Sequence, residues 1–80
     1  MIIDILAFGI AKDILGLSET TMSLEKSLSI SELKSKLSEK FPEFEKLRSF
    51  SLAVNQEYQE DDFMIKENDE IAIIPPVSGG

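Results

Sequence analysis

The stretch "LSISELKSKLSEKF", residues 28–41, decides the fold class of this chain. Ser29 can cap a helix, and Glu32, three residues later, can accept a hydrogen bond from the backbone amide of the cap. Leu28 and Leu33 can then form a hydrophobic staple across the first turn. Apolar residues recur at helical spacing along one stripe, at Ile30, Leu33, Leu37 and Phe41. The proline that follows disfavours continuation of the helix, so the stretch predicts one amphipathic helix with one buried face.

Strand-like segments lie on both sides of this helix. Before it, the apolar run 2–8 predicts a buried strand, and "TTMSLE" at 20–25 predicts its hairpin partner. The residues Asp13, Gly16 and Ser18 between them are typical of a turn. After the helix, short strands are predicted at 52–54, around Tyr58 and at 71–74, with turns at 55–57 and 68–69. The order β-β-α-β-β-β predicts an α+β domain, a mixed sheet of about five strands with one main helix packed on one face.

Composition restricts the chemistry that the chain can perform. Its 80 residues allow one domain with one modest core, and it has neither cysteine nor histidine. Thiol nucleophiles, disulfides, soft metal ligands and the commonest general base are therefore missing. The net charge of −7 argues against nucleic acid as a partner and favours a basic protein surface. We see no signal peptide and no membrane span, so the expected compartment is the cytoplasm.

Side-chain alternation in the outer strands predicts an apolar patch on the face that the helix leaves open. In the first strand Leu6 and Phe8 point away from the isoleucines at 3 and 5, and in the last strand Ala72 and Ile74 point away from those at 71 and 73. If the two strands are neighbours, these four side chains form one exposed patch, with Tyr58 beside it. The alternative is a different register in which the same residues belong to the core.

The ending "PPVSGG", residues 75–80, combines residues that favour an extended backbone with two residues that have no side chain. Pro75 and Pro76 restrict the direction in which the chain leaves the last strand. The four residues after them could span about 13 Å, at roughly 3.3 Å each. Gly79 and Gly80 carry no side chain, so they could pass through a channel too narrow for other residues. The sequence therefore predicts a folded domain over 1–76 and a flexible tail over 77–80 whose terminal carboxylate is the group delivered.

Three stretches carry a resemblance to a known family: "FGIAKDILG" at 8–16, "AVNQ" at 53–56 and "ENDEIAIIPPVSGG" at 67–80. With them the chain resembles the small subunits of molybdopterin synthase, which are sulfur carriers of the ubiquitin-like β-grasp superfamily. The resemblance covers nearly the whole chain, and "PPVSGG" is its most specific part. Lys12 departs from the arginine that the family often has, and Asn68 from a glycine, which asparagine can replace at a left-handed position.

The resemblance implies a carrier that binds no cofactor of its own. A ubiquitin-activating-like adenylyltransferase would use ATP to adenylate the Gly80 carboxylate, which would then become a thiocarboxylate. The tail would enter the large synthase subunit of a heterotetramer, which supplies the catalytic residues. There two carriers in turn would give their sulfur to cyclic pyranopterin monophosphate, forming the molybdopterin dithiolene. The positions implied to contact the partner are Phe8, Tyr58, Ile74, Pro75, Pro76, Val77, Ser78 and Gly79.

Three other functions stay open at this point. The chain could be a ubiquitin-like modifier joined to lysines of target proteins through Gly80, because the activation chemistry would be the same. It could be the sulfur carrier of the thiamine pathway, which shares the fold and the Gly-Gly ending. It could also be a binding module in which Gly79 and Gly80 have no chemical role.

Overall fold

The computed structural model describes residues 1–46 and 50–75, apart from the side chain of Lys46. Within these ranges five strands form one sheet, and two α-helices and one 3₁₀ helix connect them. The elements are β1 (Ile2–Ala7), α1 (Ile10–Leu15), β2 (Glu19–Ser23), α2 (Ile30–Lys40), a 3₁₀ helix (Pro42–Lys46), β3 (Ser51–Val54), β4 (Glu57–Tyr58) and β5 (Glu70–Ile74).

The strands lie in the order β2-β1-β5-β3-β4. β1 and β5 pair in parallel at the centre of the sheet, and the other three pairs are antiparallel. A parallel neighbour needs a long crossover, which the segment containing α2 provides. The sheet is therefore mixed, with its main helix on one face, as the order of predicted elements indicated.

The helix α2 begins at the predicted capping box. The Ser29 hydroxyl accepts a hydrogen bond from the backbone N–H of Glu32 at 3.1 Å, and the Glu32 carboxylate accepts one from the backbone N–H of Ser29 at 2.9 Å. Two further N–H groups of the first turn, those of Ile30 and Ser31, donate to the carbonyls of Phe63 and Asp61, each at 3.0 Å. The start of α2 is thus fully hydrogen-bonded within the domain.

The core lies between α2 and the sheet. Ile30, Leu33 and Leu37 are buried on the helix side, while Phe41 is partly buried, so the predicted apolar stripe is confirmed. The sheet contributes alternate residues of its strands, namely Ile3, Ile5, Ala7, Met22, Leu52, Val54, Ile71 and Ile73. Phe44 closes one end, with its ring 6.1 Å from that of Phe41 and 5.2 Å from that of Phe50. All described residues of the core are hydrophobic.

The segment predicted as a turn between the first two strands is a short helix, α1. Its Ala11 is buried in the core, and Gly16 ends it with a φ of 82° while its N–H donates to the carbonyl of Lys12 at 2.8 Å. Gly16 was read as a turn residue, whereas it acts as a helix C-cap, a position that favours the same residue type. β1 also ends one residue earlier than predicted, at Ala7, and β2 begins at Glu19.

The two turns at the far end of the sheet from Pro75 are tied together by side chains. Asn55 and Asn68 have φ values of 50° and 68°, the left-handed conformation that asparagine tolerates. The Asn55 amide donates to Asp69 Oδ1 at 3.0 Å, and the other oxygen of Asp69 accepts from the Lys66 backbone at 2.7 Å. Asn68 therefore occupies the left-handed position of its turn, where glycine is also favoured.

Candidate functional site

The parallel pairing of β1 with β5 decides where the tail leaves the domain. Neighbouring parallel strands run in the same direction. Phe8, which follows β1, and Pro75, which follows β5, therefore lie at the same end of these two strands. Gly9, the residue after Phe8, lies against Pro75, because a Cβ added to Gly9 would meet Pro75 Cγ at 3.5 Å, an ordinary van der Waals distance. Gly9 also has a φ of 55° and a ψ of −131°, a conformation that glycine adopts far more readily than other residues.

The register of the sheet brings the predicted apolar residues together on the open face. Leu6 pairs with Ala72, Ala72 with Ala53, and Ala53 with Tyr58, so four strands contribute to one row. The central neighbours β1 and β5 meet the condition on which the predicted patch depended. We call the following six residues the open-face patch: Leu6, Phe8, Ala53, Tyr58, Ala72 and Ile74.

All of these residues except Ala53, which is only 4% exposed, are more exposed than the core residues. Tyr58 is 66% exposed and Phe8 is 52% exposed, whereas Leu6, Ala72 and Ile74 are partly buried. Pro75 is partly buried as well. The remaining predicted site residues, Pro76, Val77, Ser78, Gly79 and Gly80, lie outside the described residues, as does the predicted tail 77–80.

Sequence reasoning missed several residues at this edge. Ile10 is the first residue of α1 and Leu17 lies two residues after its end; their large apolar side chains are 49% and 54% exposed. They were not found because α1 was read as a turn. Ala53 was missed because its place between Ala72 and Tyr58 depends on the pairing of β3 with β5, which the spacing of short strands does not specify.

The open-face patch offers apolar contact area, a phenol hydroxyl at Tyr58 and a neighbouring strand end, which together suit binding of a protein surface. The pKa shift resolved in the described chain belongs to Glu32, whose pKa the Ser29 backbone hydrogen bond lowers, and Glu32 lies in the first turn of α2. Groups of three or more acidic residues able to hold a metal ion do not occur within residues 1–46 and 50–75. In the same ranges, each helix is too short or too polar to span a bilayer.

The sequence of this chain is similar to those of known proteins over nearly its whole length. A protein named molybdopterin synthase sulfur carrier subunit from Arabidopsis thaliana is 37% identical over 98% of this chain and 82% of its own length. A protein of the same name from Dictyostelium discoideum is 44% identical over 95% of this chain and 93% of its own length.

Solved structures show the same fold. A putative molybdopterin converting factor subunit 1 from Pyrococcus furiosus superimposes with a TM-score of 0.85 over 96% of this chain and 99% of that chain, at 19% identity. A complex of subunits 1 and 2 of the molybdopterin-converting factor from Helicobacter pylori contains a chain with a TM-score of 0.67, full coverage of both chains and 26% identity. The small archaeal modifier protein SAMP1 from Haloferax volcanii has a TM-score of 0.79 over the full length of both chains, at 18% identity.

The family model described as "ThiS family" matches residues 5–80, which is nearly the whole chain. The five-stranded mixed sheet and α2 are those of the ubiquitin-like β-grasp fold that these neighbours share. The chain therefore belongs to the ThiS family.

Proposed function

We propose that this chain is the sulfur carrier subunit of a molybdopterin synthase and that the Gly80 carboxylate carries the sulfur. The observation that carries the proposal is the agreement between the relatives and the geometry. Relatives with that name match 95–98% of the chain, and Pro75, the residue after β5, lies against Gly9, which follows the exposed Phe8. A tail that starts from this edge begins next to the open-face patch, so docking of the patch would aim the tail.

The patch is proposed to bind the large synthase subunit. Aromatic side chains in an interface often supply much of its binding energy, and Tyr58 and Phe8 are the two aromatic members of the patch and its most exposed residues. Support also comes from the Helicobacter pylori relative, which was solved as a complex of subunits 1 and 2. Ile74 and Pro75 connect the patch to the tail, and residues 76–79 are proposed to contact the walls of the partner's cleft.

The proposed chemistry begins at the terminal carboxylate. A carboxylate is a poor acylating group, so an adenylyltransferase partner would join it to the AMP part of ATP and release pyrophosphate. A sulfur donor would then displace AMP and leave a thiocarboxylate on Gly80. The thiocarboxylate sulfur is a good nucleophile, and it would attack the cyclic pyranopterin monophosphate inside the large subunit to form a thioester. Water would then hydrolyse the bond between the Gly80 carbonyl carbon and the sulfur, which leaves the sulfur on the pterin and restores the Gly80 carboxylate. The cytoplasmic location expected from the sequence stays a prediction.

Intact-mass measurement tests whether the chain is a carrier. The full chain is incubated with an adenylyltransferase of the ubiquitin-activating type, ATP and a sulfur donor. We expect a mass gain equal to the difference between one sulfur and one oxygen atom, and no gain when Gly80 is deleted. Absence of the gain in the wild-type chain, or the same gain in the deletion variant, would overturn the proposal.

A second measurement separates the synthase from a protein modifier. The thiocarboxylated chain is mixed with a large synthase subunit and cyclic pyranopterin monophosphate, and molybdopterin is quantified. The names of the curated relatives favour molybdopterin formation. Covalent conjugates on lysines of other proteins, without molybdopterin, would instead support the modifier. Sulfur transfer into a thiazole precursor would support the thiamine-pathway carrier.

A further inference from the structure

The free edge of the sheet at β2 carries a row of outward-facing backbone groups. Met1 and Leu24 exchange two backbone hydrogen bonds, at 2.7 and 3.2 Å, and Ala7 donates to Ser18 at 2.9 Å. In an antiparallel pair of strands, every second residue forms backbone hydrogen bonds with its partner strand. Between the bonded residues Leu24 and Ser18, the N–H and C=O groups of Met22 and Thr20 therefore point to β1. The backbone groups of Glu19, Thr21 and Ser23 consequently point away from the sheet.

This edge lacks most of the features that prevent strand addition. It is five residues long, the far edge β4 is two residues long, and β2 contains neither proline nor lysine. Of the three residues whose backbone points outward, only Glu19 is charged, while Thr21 and Ser23 are neutral and exposed. Protein edges that avoid pairing usually carry lysine, proline or a bulge.

A groove runs beside the edge, between β2 and the C-terminal half of α2. Near Thr20 it is a cavity of about 120 Å³ lined mainly by apolar side chains, among them Leu15, Leu17, Met22 and Phe41, with Lys40 also on its wall. Near Met22 and Ser23 its walls are polar and include Lys36, Lys40 and Glu39. Both lysines are exposed, and neither takes part in an ion pair with the rest of the described chain, where Lys34 pairs with Asp61 at 3.5 Å.

A strand added to this edge would place its own side chains in the groove. A residue opposite Thr20 would point to the helix side, into the apolar cavity, and a residue opposite Met22 would point towards Lys36 and Lys40. Antiparallel addition gives slightly better hydrogen bonds than parallel addition. In that direction the acidic residue comes first and the apolar residue follows two positions later.

We propose that β2 and this groove bind an extended segment of another protein with the pattern acidic-x-aliphatic, as an added antiparallel strand. The occupant carries an acidic residue because the polar half of the groove holds two lysines and one carboxylate, so this site is locally positive although the net charge of the chain is −7. A second copy of this chain suits the edge poorly. Two-fold pairing about Thr21 would bring the Lys36 and Lys40 side chains of both copies together, between two acidic proteins. The site is independent of sulfur carriage, because Gly80 takes no part in it.

Amide chemical-shift mapping on the full chain tests the proposal. The probe is a short end-blocked peptide, Thr-Thr-Asp-Thr-Val-Thr-Thr, with two controls: the same peptide with lysine for aspartate, and the reversed sequence. We expect saturable shifts at Glu19, Thr21 and Ser23 with the first peptide and weaker binding of both controls. Shifts confined to the open-face patch or to β4, or equal binding of the lysine peptide, would overturn the proposal. Self-association detected by sedimentation, with the same edge amides affected in the absence of peptide, would also overturn it.

Two sets of variants make the test independent of folding. Thr21→Pro removes an outward N–H and no bond to β1, so we expect binding to weaken about tenfold or more. Thr21→Val keeps the N–H and should bind as the wild type does. If Thr21→Pro does not fold, the double variant Lys36→Glu with Lys40→Glu, on the exposed side of α2, still tests the proposed preference for an acidic peptide. It should weaken the aspartate peptide about fivefold and improve binding of the lysine peptide. Unchanged preference in that variant would contradict the proposal.

Discussion

The two faces of the sheet use neighbouring residues of the same strands for different purposes. On the face covered by α2, Ile71 and Ile73 of β5 are fully buried, whereas on the open face Ala72 and Ile74 of the same strand stay partly exposed. β1 repeats the pattern, with Ile5 buried and Leu6 partly exposed. Hydrophobicity alone does not distinguish the two sets, since isoleucine occurs in both. The side chains that α2 covers therefore stabilise the fold, whereas those on the open face remain available to contact a partner.

Truncation of one isoleucine on each face gives the largest expected contrast. Ile73→Ala should lower the free energy of unfolding by about 2–5 kcal/mol, because the fully buried side chain leaves a cavity between β5 and α2. Ile74→Ala, the matched control one residue away, should lower it by about 1 kcal/mol or less, since its side chain is already partly exposed. Urea denaturation followed by circular dichroism measures both. Equal losses would show that the two faces are not energetically different.

Gly9 lies at the edge where both faces end, and its replacement is expected to have the next largest effect. Gly9→Ala should cost about 1–3 kcal/mol, because φ 55° with ψ −131° is strained for a residue with a Cβ. Gly16→Asn is the control, since Gly16 has φ 82° and ψ 0°, a left-handed conformation that asparagine tolerates, with no atom within 4 Å of an added Cβ. Thermal unfolding of both variants should rank Gly9→Ala as the less stable. The opposite ranking would contradict the assignment of strain to Gly9.

Tyr58 tests the open face without touching the core. Tyr58→Ala should weaken binding to the large synthase subunit about tenfold, because a tyrosine ring that becomes buried in an interface often contributes this much. Its free energy of unfolding should change by about 0.5 kcal/mol or less, as expected for a surface residue. Tyr58→Phe keeps the ring and should retain most of the affinity. Isothermal calorimetry gives the affinity, and unchanged binding by the alanine variant would remove Tyr58 from the docking surface.

Glu32 lies in the first turn of α2, the helix that covers the other face of the sheet. Its replacement should have the smallest effect on stability among these variants. The hydrogen bond from the Ser29 backbone lowers the pKa of Glu32 below its ordinary value of 4.5. The ionised form is therefore favoured by folding. Its stabilising contribution is complete above the ordinary value and is lost as the pH falls through the lower folded pKa.

The glutamine variant isolates this contribution. Glu32→Gln keeps a side-chain oxygen acceptor and does not titrate, so its melting temperature should fall less than that of the wild type between about pH 6 and about pH 3. Glu39→Gln, on an exposed position of the same helix, serves as the control and should behave as the wild type does. Parallel pH profiles for the wild type and Glu32→Gln would contradict the pKa assignment.

Local signals predicted much of the fold because each acts over a few residues. The capping box at Ser29 and Glu32 and the left-handed Asn68 depend on neighbours three or fewer positions away, and all are found in the structure. The helix α1 was missed because Asp13 within it and Gly16 and Ser18 after it are typical of turns, and it is held by burial of Ala11 rather than by helical propensity.

The candidate site could be predicted only in part. Phe8, Tyr58 and Ile74 were placed on the open face by strand alternation together with the resemblance, and the structure finds them there or at the strand end. Ala53, Ile10 and Leu17 were not predicted, because their positions depend on strand order and on α1. The bond between Asn55 and Asp69 was also missed, since it joins turns 14 residues apart.

Helix α2, the alternation of side chains within each strand and the resemblance at the Gly-Gly ending could all be predicted from the sequence alone. These are set by contacts along the chain or by residue types read in order. Only the tertiary structure decided that β1 and β5 are parallel neighbours, that Gly9 lies against Pro75, and that β2 is the free edge beside a groove with Lys36 and Lys40. The physical reason is that strand pairing joins segments up to 66 residues apart, as in Asp4 with Glu70. The choice among such pairings is made by burial of the whole core rather than by any local stretch.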